Sequence, residues 1–252
     1  MDDGELTKDA ISPQKLLTRK QRRKLAKEEK RNQNNKKENI KKLKKGLVGL
    51  LTLIVLFFGG YKVWSWMNTP SAIPQNIFEI GEDDWVKGNV ESSLTLIEYA
   101  DYECPVCAVY FNDVNKLVAE FGNDFKLIYR HFPLVSIHKN AIPSAKAAEA
   151  AGKQNMFWEM SELLFAKHED WADERNPLDI FVSYADELGL DTEKFKSDYE
   201  SSEISDKVNS DLTSANQLRL NQTPTFFLNG EKIENPQGYE EFKKLLEKAI
   251  NP

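Results

Sequence analysis

Leu94-Thr95-Leu96-Ile97-Glu98-Tyr99-Ala100-Asp101-Tyr102-Glu103-Cys104-Pro105-Val106-Cys107 is the stretch that decides the fold. Its first half is a nearly continuous apolar run, the pattern of a strand buried on both faces of a sheet. Its second half carries both cysteines of the chain, three positions apart, where that strand gives way to a helix. At a helix N-terminus the first sulfur meets unpaired backbone N–H groups and the positive end of the dipole, which favour its thiolate. The thiolate is the species that attacks a disulfide or leaves from one.

Two other readings of the pair compete. A structural zinc site needs four ligands, and the chain offers only His131, His138 and His168, far along the sequence and without ligand-like spacing. No metal is expected. A purely structural disulfide here would close a very small loop and constrain little of the unfolded chain.

The net charge of −6 hides two electrostatic objects. Residues 1–45 carry 16 Lys/Arg against 7 Asp/Glu, a balance of +9, and the remainder carries 18 against 33, a balance of −15. Between them lies Gly46-Leu-Val-Gly-Leu-Leu-Thr-Leu-Ile-Val-Leu-Phe-Phe-Gly-Gly-Tyr61, uncharged throughout, followed by Lys62 and by Trp64 and Trp66. Counted through Met67 it gives roughly 33 Å of helix, enough for a hydrocarbon core of about 30 Å. The aromatic residues suit the interface, and the Lys62 stem can snorkel to it. A long basic leader and the lack of a clean A-x-A site, with only Pro70-Ser71-Ala72 as a weak candidate, favour an uncleaved signal anchor over a cleaved signal peptide. The Lys/Arg excess before the span predicts a cytoplasmic N-terminus and an extracytoplasmic remainder. The lipid bilayer is therefore a partner, and the basic arm reads as a topology signal attracting anionic lipid; no nucleic-acid partner is expected. On an oxidising side, a pair with no other cysteine in the chain points to catalysis.

The expected organisation is a basic cytoplasmic arm over 1–45, a transmembrane anchor over 46–67, a linker over 68–76 and one domain over 77–252. In that domain Ile77–Ile80 reads as a short strand and Asp83–Ser93 as a polar connection. Leu94–Ala100 is the first long strand, Cys104–Phe121 a helix with Val114, Leu117, Val118 and Phe121 at helical spacing, and Phe125–Arg130 a second strand. Strand, helix and strand make a βαβ unit with a parallel pair. About five helices follow, over 141–152, 155–166, 178–188, 192–199 and 203–218. Then Thr225–Leu228, an Asn229-Gly230 turn and Glu231–Ile233 read as a hairpin, and Tyr239–Ile250 as a closing amphipathic helix.

This order, βαβ, a helical block at about 139–219, then ββα, resembles an α/β thioredoxin-like fold with an inserted helical domain, as in the DsbA-like family of bacterial thiol:disulfide oxidoreductases. The resemblance rests on the segment from Leu96 to Cys107, on Tyr129-Arg130-His131-Phe132-Pro133-Leu134, on Ala147-Ala148-Glu149-Ala150-Ala151 with Met156-Phe157-Trp158-Glu159-Met160, and on Thr223-Pro224-Thr225-Phe226-Phe227-Leu228-Asn229-Gly230. It implies that Cys104 is the exposed reactive sulfur and Cys107 the buried resolving thiol. It implies that Glu98 lies beneath them and moves the resolving proton, for which burial would raise its pKa. Thr223-Pro224 would be a cis-proline loop that, with Pro105 and Val106, faces an extended substrate. His131 and His138 are read as structural or surface residues.

The reaction expected is disulfide formation in exported proteins. No bound cofactor is expected beyond the Cys104–Cys107 disulfide itself. The partners are cysteine-containing exported proteins and a membrane or extracytoplasmic redox protein that recycles the pair. Asp101 and Glu103 put negative charge beside Cys104, which opposes its thiolate and predicts a weaker oxidant. Reductase or isomerase activity on the same fold, or a chaperone-like binding module without redox turnover, are the alternatives.

Overall fold

The computed structural model describes residues 19–68 and 75–251, and the chain divides into two compact units, Met1–Pro70 and Ser71–Pro252. Most of the expected linker, residues 69–74, and the first part of the basic arm lie outside the described residues.

In the first unit the basic arm and the apolar stretch form one helix, α1, over Arg19–Asn68. Lys, Arg, Glu, Gln and Leu are strong helix formers, and no proline interrupts the segment. Leu56, Phe57 and Phe58 stand 61–72% exposed. Among the described residues α1 is the helix long and apolar enough to cross a membrane.

The second unit opens with a 3₁₀ turn over Gln75–Phe78, not the strand expected at Ile77–Ile80. The carbonyls of this segment are taken by a side chain: Arg130 Nη1 donates to Ile77 O, and Nη2 donates to Glu79 O at 2.9 Å. The first strand, β1, lies instead at Trp85–Gly88, inside the expected polar connection. Three half-buried residues and an exposed glycine suffice at a sheet edge, and side chains hold them there. Asp84 accepts from Arg130 at 2.7 and 3.0 Å, while Trp85 stacks on Phe157 at 4.4 Å and lies over Gly152, where any Cβ would meet its ring. Gly88, at φ +92°, ends the strand where a Cβ would fall 2.6 Å from Phe125 O.

The remaining elements are β2 (Thr95–Ala100), α2 (Pro105–Phe121), β3 (Lys126–His131), α3 (Ala141–Gly152), α4 (Phe157–Ala166), α5 (His168–Trp171), α6 (Leu178–Glu187), α7 (Thr192–Tyr199), α8 (Ser202–Gln217), β4 (Thr225–Leu228), β5 (Glu231–Lys232) and α9 (Tyr239–Ile250). Among the described residues the sheet runs β1-β3-β2-β4-β5, with β2 and β3 parallel and the other pairs antiparallel. This is the thioredoxin-like βαβ and ββα arrangement with helices α3 to α8 between the halves. The short α5 was not expected from periodicity; a single turn is too short to show one.

Alternation along β2 sorts the core. Ile97 and Tyr99 join Ile128, Phe227 and Ala215 of α8 on one side of the sheet. Leu96, with Leu127 and Phe226, packs on Val114 and Leu117 of α2 and on Phe242 and Leu246 of α9. Ala100, Tyr129 and Cys107 continue into the helical insert, against Phe157, Met160, Leu164 and Phe181. Each large side chain so buried contributes about 1.5–3 kcal/mol. Glu98 falls between Leu96 and Ala100 on β2, so the alternation that builds the core also carries its carboxyl inward.

Candidate active site

Cys104 is the N-cap of α2, in extended conformation at φ −84° and ψ 116°, and Pro105 is the first helical residue. Proline suits that place because its missing N–H would have had no partner there. The cap is pinned by Cys104 N donating to Asp101 O at 3.1 Å. Cys104 is 7% exposed and Cys107, one turn into the helix, is fully buried. Both are free thiols in this structure.

The two sulfurs are electrostatically unlike. The Cys104 thiol is pulled down to about 5. The largest cause is a hydrogen bond from the Cys107 thiol; burial opposes it, and Thr223 and the backbone N–H groups of Cys107 and Val106 add to it. Burial, followed by the Cys104 sulfur, pushes Cys107 well above the ordinary thiol range. At neutral pH the pair is therefore one thiolate sharing the proton of one thiol.

Asp101 and Glu103, expected to oppose this thiolate, are engaged by hydrogen bonds of their own. Asp101 is buried and accepts from Glu103 N at 2.9 Å, Leu134 N at 2.8 Å and His138 Nδ1 at 2.8 Å. Glu103 Oε2 accepts from Asn140 N at 2.6 Å, and burial raises its carboxyl pKa. Both acids are committed to the segment 134–140, and neither figures among the main influences on Cys104.

Thr223-Pro224 is a cis peptide, and it faces the reactive sulfur: Cys104 Sγ lies 3.6 Å from Thr223 O. The Thr223 hydroxyl is buried, and it is among the groups that favour the Cys104 thiolate. Val106 is 52% exposed at the mouth of the pair, with Val109 on the next turn and Val135 and Ile137 on the segment that clasps Asp101 and Glu103, all four presenting apolar surface.

Glu98 is buried, and burial alone lifts its carboxyl to about 8. No ion pair or hydrogen bond reaches that carboxyl among the described residues. It lies close enough to Cys107 to raise the latter's pKa further. A group that binds a proton near neutrality, beside a thiol that must lose one, is placed for proton exchange.

The structure gathers Cys104, Cys107, Glu98, Thr223, Pro224, Pro105 and Val106, the residues that sequence reasoning puts forward for the site, at one end of the sheet. That reasoning did not find the groups that hold them in place. Asn140 Nδ2 reaches the carbonyls of Trp171, Ala172 and Glu174 at 2.8–3.0 Å. His168 Nε2 meets Glu103 O at 3.0 Å, and His138 clasps Asp101. His131, read as structural or surface, is buried on β3 against Glu149 of α3 at 2.8 Å. The one signal for Asn140 was its place ahead of an alanine-rich helix, where it reads as an ordinary cap.

Comparisons with known proteins bear on the whole arrangement. A thioredoxin family model matches residues 81–248. Among solved structures the chain is similar to a thioredoxin-like oxidoreductase from Silicibacter pomeroyi DSS-3, with 24% identity, TM-score 0.61, and 71% of this chain and 99% of that one covered. It is similar also to oxidised BdbD from Bacillus subtilis, with 26% identity, TM-score 0.58, and 66% and 92% covered. Wolbachia pipientis alpha-DsbA1 shares the fold at 21% identity, TM-score 0.61, and 68% and 92% covered. Among curated sequences it is 34% identical over 199 residues to a Na(+)/H(+) antiporter NhaA 1 of Mycolicibacterium gilvum, covering 75% of this chain and 31% of that protein. The chain spans about a third of the length of such relatives, so the antiporter name describes proteins with much more besides. With the match running from before β1 into α9, and the cysteine pair where the sheet hands over to α2, the chain belongs to the thioredoxin family.

Proposed function

We propose that this protein forms disulfides in exported proteins, tethered by α1 with its N-terminus in the cytoplasm and its catalytic domain outside. The observation that carries the reading is the placement of Cys104 at the N-cap of α2, its sulfur 3.6 Å from the carbonyl of the cis-proline loop and a buried Cys107 one turn on, a setting that favours the Cys104 thiolate. A sulfur stable as a thiolate is a good leaving group and makes the reduced enzyme the favoured product, which is oxidising power.

In the forward step a substrate thiolate attacks Cys104 Sγ of the enzyme disulfide. The Cys104–Cys107 bond breaks, and Cys107 leaves as a thiolate that takes a proton from Glu98. A second substrate thiolate then attacks its own mixed sulfur, forming the substrate disulfide and releasing Cys104 as the thiolate. The enzyme is now a dithiol, and a membrane or extracytoplasmic partner removes the two electrons. Thr223 and Pro224, with Pro105 and Val106, border the sulfur and are assigned to hold the extended substrate chain. The two cysteines carry the redox change without a bound cofactor.

Two measurements on the full-length protein test this. Cys107→Ser should accumulate mixed disulfides between Cys104 and exported proteins; a variant that traps nothing would speak for binding without turnover. Equilibration with glutathione should place the potential nearer the roughly −120 mV of strong oxidants than the roughly −270 mV of thioredoxin. A value at the reducing end would overturn the oxidase assignment.

A further inference from the structure

The Thr223-Pro224 loop lies beyond the end of the sheet. Pairing of β4 with β2 stops at Thr225, opposite Tyr99, and a proline brings no N–H to any ladder. The shape of the loop is therefore left to side chains. Thr225 Oγ1 donates to Gln222 O at 2.8 Å, within the loop itself. A second bond comes from outside it: Asn235 Nδ2 donates to Pro224 O at 2.8 Å, from the connection between β5 and α9.

That connection is in turn fastened to α2. Tyr110, three residues after Cys107, donates its hydroxyl to Pro236 O at 2.7 Å, and its ring packs on Phe226 of β4 at 5.4 Å. Pro236 is buried, and its carbonyl also accepts Gly238 N at 3.1 Å, at the start of α9. These contacts close on themselves. α2 carries Cys104 at its cap and Tyr110 further along, Pro236 and Asn235 lead from Tyr110 to Pro224, and Thr223 O returns to Cys104 Sγ at 3.6 Å. Side chains take Gln222 O and Pro224 O, while Thr223 O between them faces the sulfur.

We propose that Asn235 and Tyr110 are positioning residues that hold the Thr223-Pro224 wall at its set distance from Cys104, so that a substrate chain lying on that wall presents its own sulfur to Cys104 in line. The proposal rests on the redox reading of Cys104 and Cys107, and it adds two residues whose bonds end on backbone carbonyls rather than at the sulfurs.

The residue types suit the task. An asparagine amide donates without carrying charge, so it pins Pro224 O and adds no charge to the surroundings of the thiolate. An aspartate there could only accept, and two acceptor oxygens set face to face would push the loop away. The tyrosine serves from the helix side, its ring seated on Phe226 and its hydroxyl left to reach one carbonyl. A fixed wall matters most for an extended chain, which must be aligned along its length before its sulfur can attack. A small thiol needs no such alignment.

The test uses the full-length protein with the Cys104–Cys107 bond formed, and two thiols: mercaptoethanol, and an extended peptide with a single cysteine and blocked termini. Either thiolate attacks Cys104 Sγ, the Cys104–Cys107 bond breaks, and Cys107 is released and counted by alkylation. The quantity read is the peptide rate divided by the mercaptoethanol rate, so each variant is its own control. Asn235→Ala should lower that ratio by about five- to tenfold, the reach of one neutral hydrogen bond. Tyr110→Phe keeps the ring, leaves Pro236 O its bond from Gly238, and should lower the ratio by a smaller factor. Because both act through one chain of contacts, the double variant should lose little more than Asn235→Ala alone, whereas independent sites would multiply their losses. A merely structural role lowers the urea midpoint and leaves the ratio at its wild-type value; that result, or losses that multiply, overturns the proposal while leaving the redox reading intact. Should Asn235→Ala fail to fold, Tyr110→Phe decides by the same ratio. A wild-type protein whose disulfide neither thiol opens overturns the redox reading and the proposal with it.

Discussion

Removing the Thr223 hydroxyl tests how the Cys104 thiolate is held. That hydroxyl is buried and is among the groups that draw the Cys104 pKa down. From a midpoint of about 5 to pH 7, ionisation stabilises the reduced protein by about 2.7 kcal/mol. Halving the figure for residual solvent screening leaves roughly 1.4 kcal/mol, or about 30 mV of oxidising power. A hydrogen bond to a charged acceptor is worth about 1.5 kcal/mol at the weak end, fitting for a diffuse sulfur anion, which is about one pKa unit. Thr223→Val, which keeps the branched shape, should thus raise the Cys104 midpoint by about one unit. With the same screening it should lower the potential by roughly 15 mV. The midpoint is read from thiolate ultraviolet absorbance and the potential from equilibration with glutathione. Thr223→Ser keeps the hydroxyl and should titrate like wild type. If the valine and serine variants share the wild-type midpoint, the hydroxyl does not hold the thiolate and the reasoning fails.

Further perturbations follow from the buried charges. Glu98 keeps its proton up to about 8 when folded but gives it up near 4.5 when unfolded, so its contribution to stability is full below 4.5 and falls as pH rises to about 8. Glu98→Gln should remove that fall and stabilise the protein at pH 7 by about 3 kcal/mol in urea unfolding, while slowing exchange at the cysteines. Asp84→Ala strands the Arg130 guanidinium, whose partner oxygens lie at 2.7 and 3.0 Å. It should cost about 3–5 kcal/mol, and equal urea midpoints for variant and wild type would refute the pair's importance. Gly88→Ala forces a Cβ to within 2.6 Å of Phe125 O at φ +92°. A loss of about 1–3 kcal/mol is expected, and a variant as stable as wild type would show that the edge strand yields.

Apolar periodicity made most of this fold legible. Ala141–Gly152, Thr192–Tyr199 and Tyr239–Ile250 begin and end where the pattern placed them. β1 escaped because Trp85-Val86-Lys87-Gly88 shows its reasons only in three dimensions: a ring stacked on Phe157 and an aspartate held by Arg130, 46 residues away. Ile77–Ile80 misled because apolar content says that a segment is buried, while the destination of its carbonyls decides whether it is a strand. The same limit applies to the site. Cysteine spacing and an acid inside an apolar strand are visible along the chain. The hydrogen bonds that turn Asp101 and Glu103 toward Leu134, His138 and Asn140 are not.

The site works by rationing negative charge. Cys104, Cys107 and Glu98 occupy one poorly solvated region, and the ionised forms of neighbouring groups disfavour each other. With Cys104 near 5, Glu98 near 8 and Cys107 above both, the reduced cluster at pH 7 holds chiefly one charge, on Cys104, and keeps two protons. About a tenth of Glu98 is ionised at that pH, by the one-unit gap. Once Cys104 is bound into a mixed disulfide its charge is gone, and Cys107, which that charge pushes up, is freer to give its proton to Glu98. Substrate capture thus eases the proton transfer that closes the ring. Without some way to shed that proton, Glu98 would stay loaded through the next turnover. Closure should therefore accelerate as pH rises toward 8 and then level. A flat profile from pH 6 to 8 would mean that Glu98 does not take the proton.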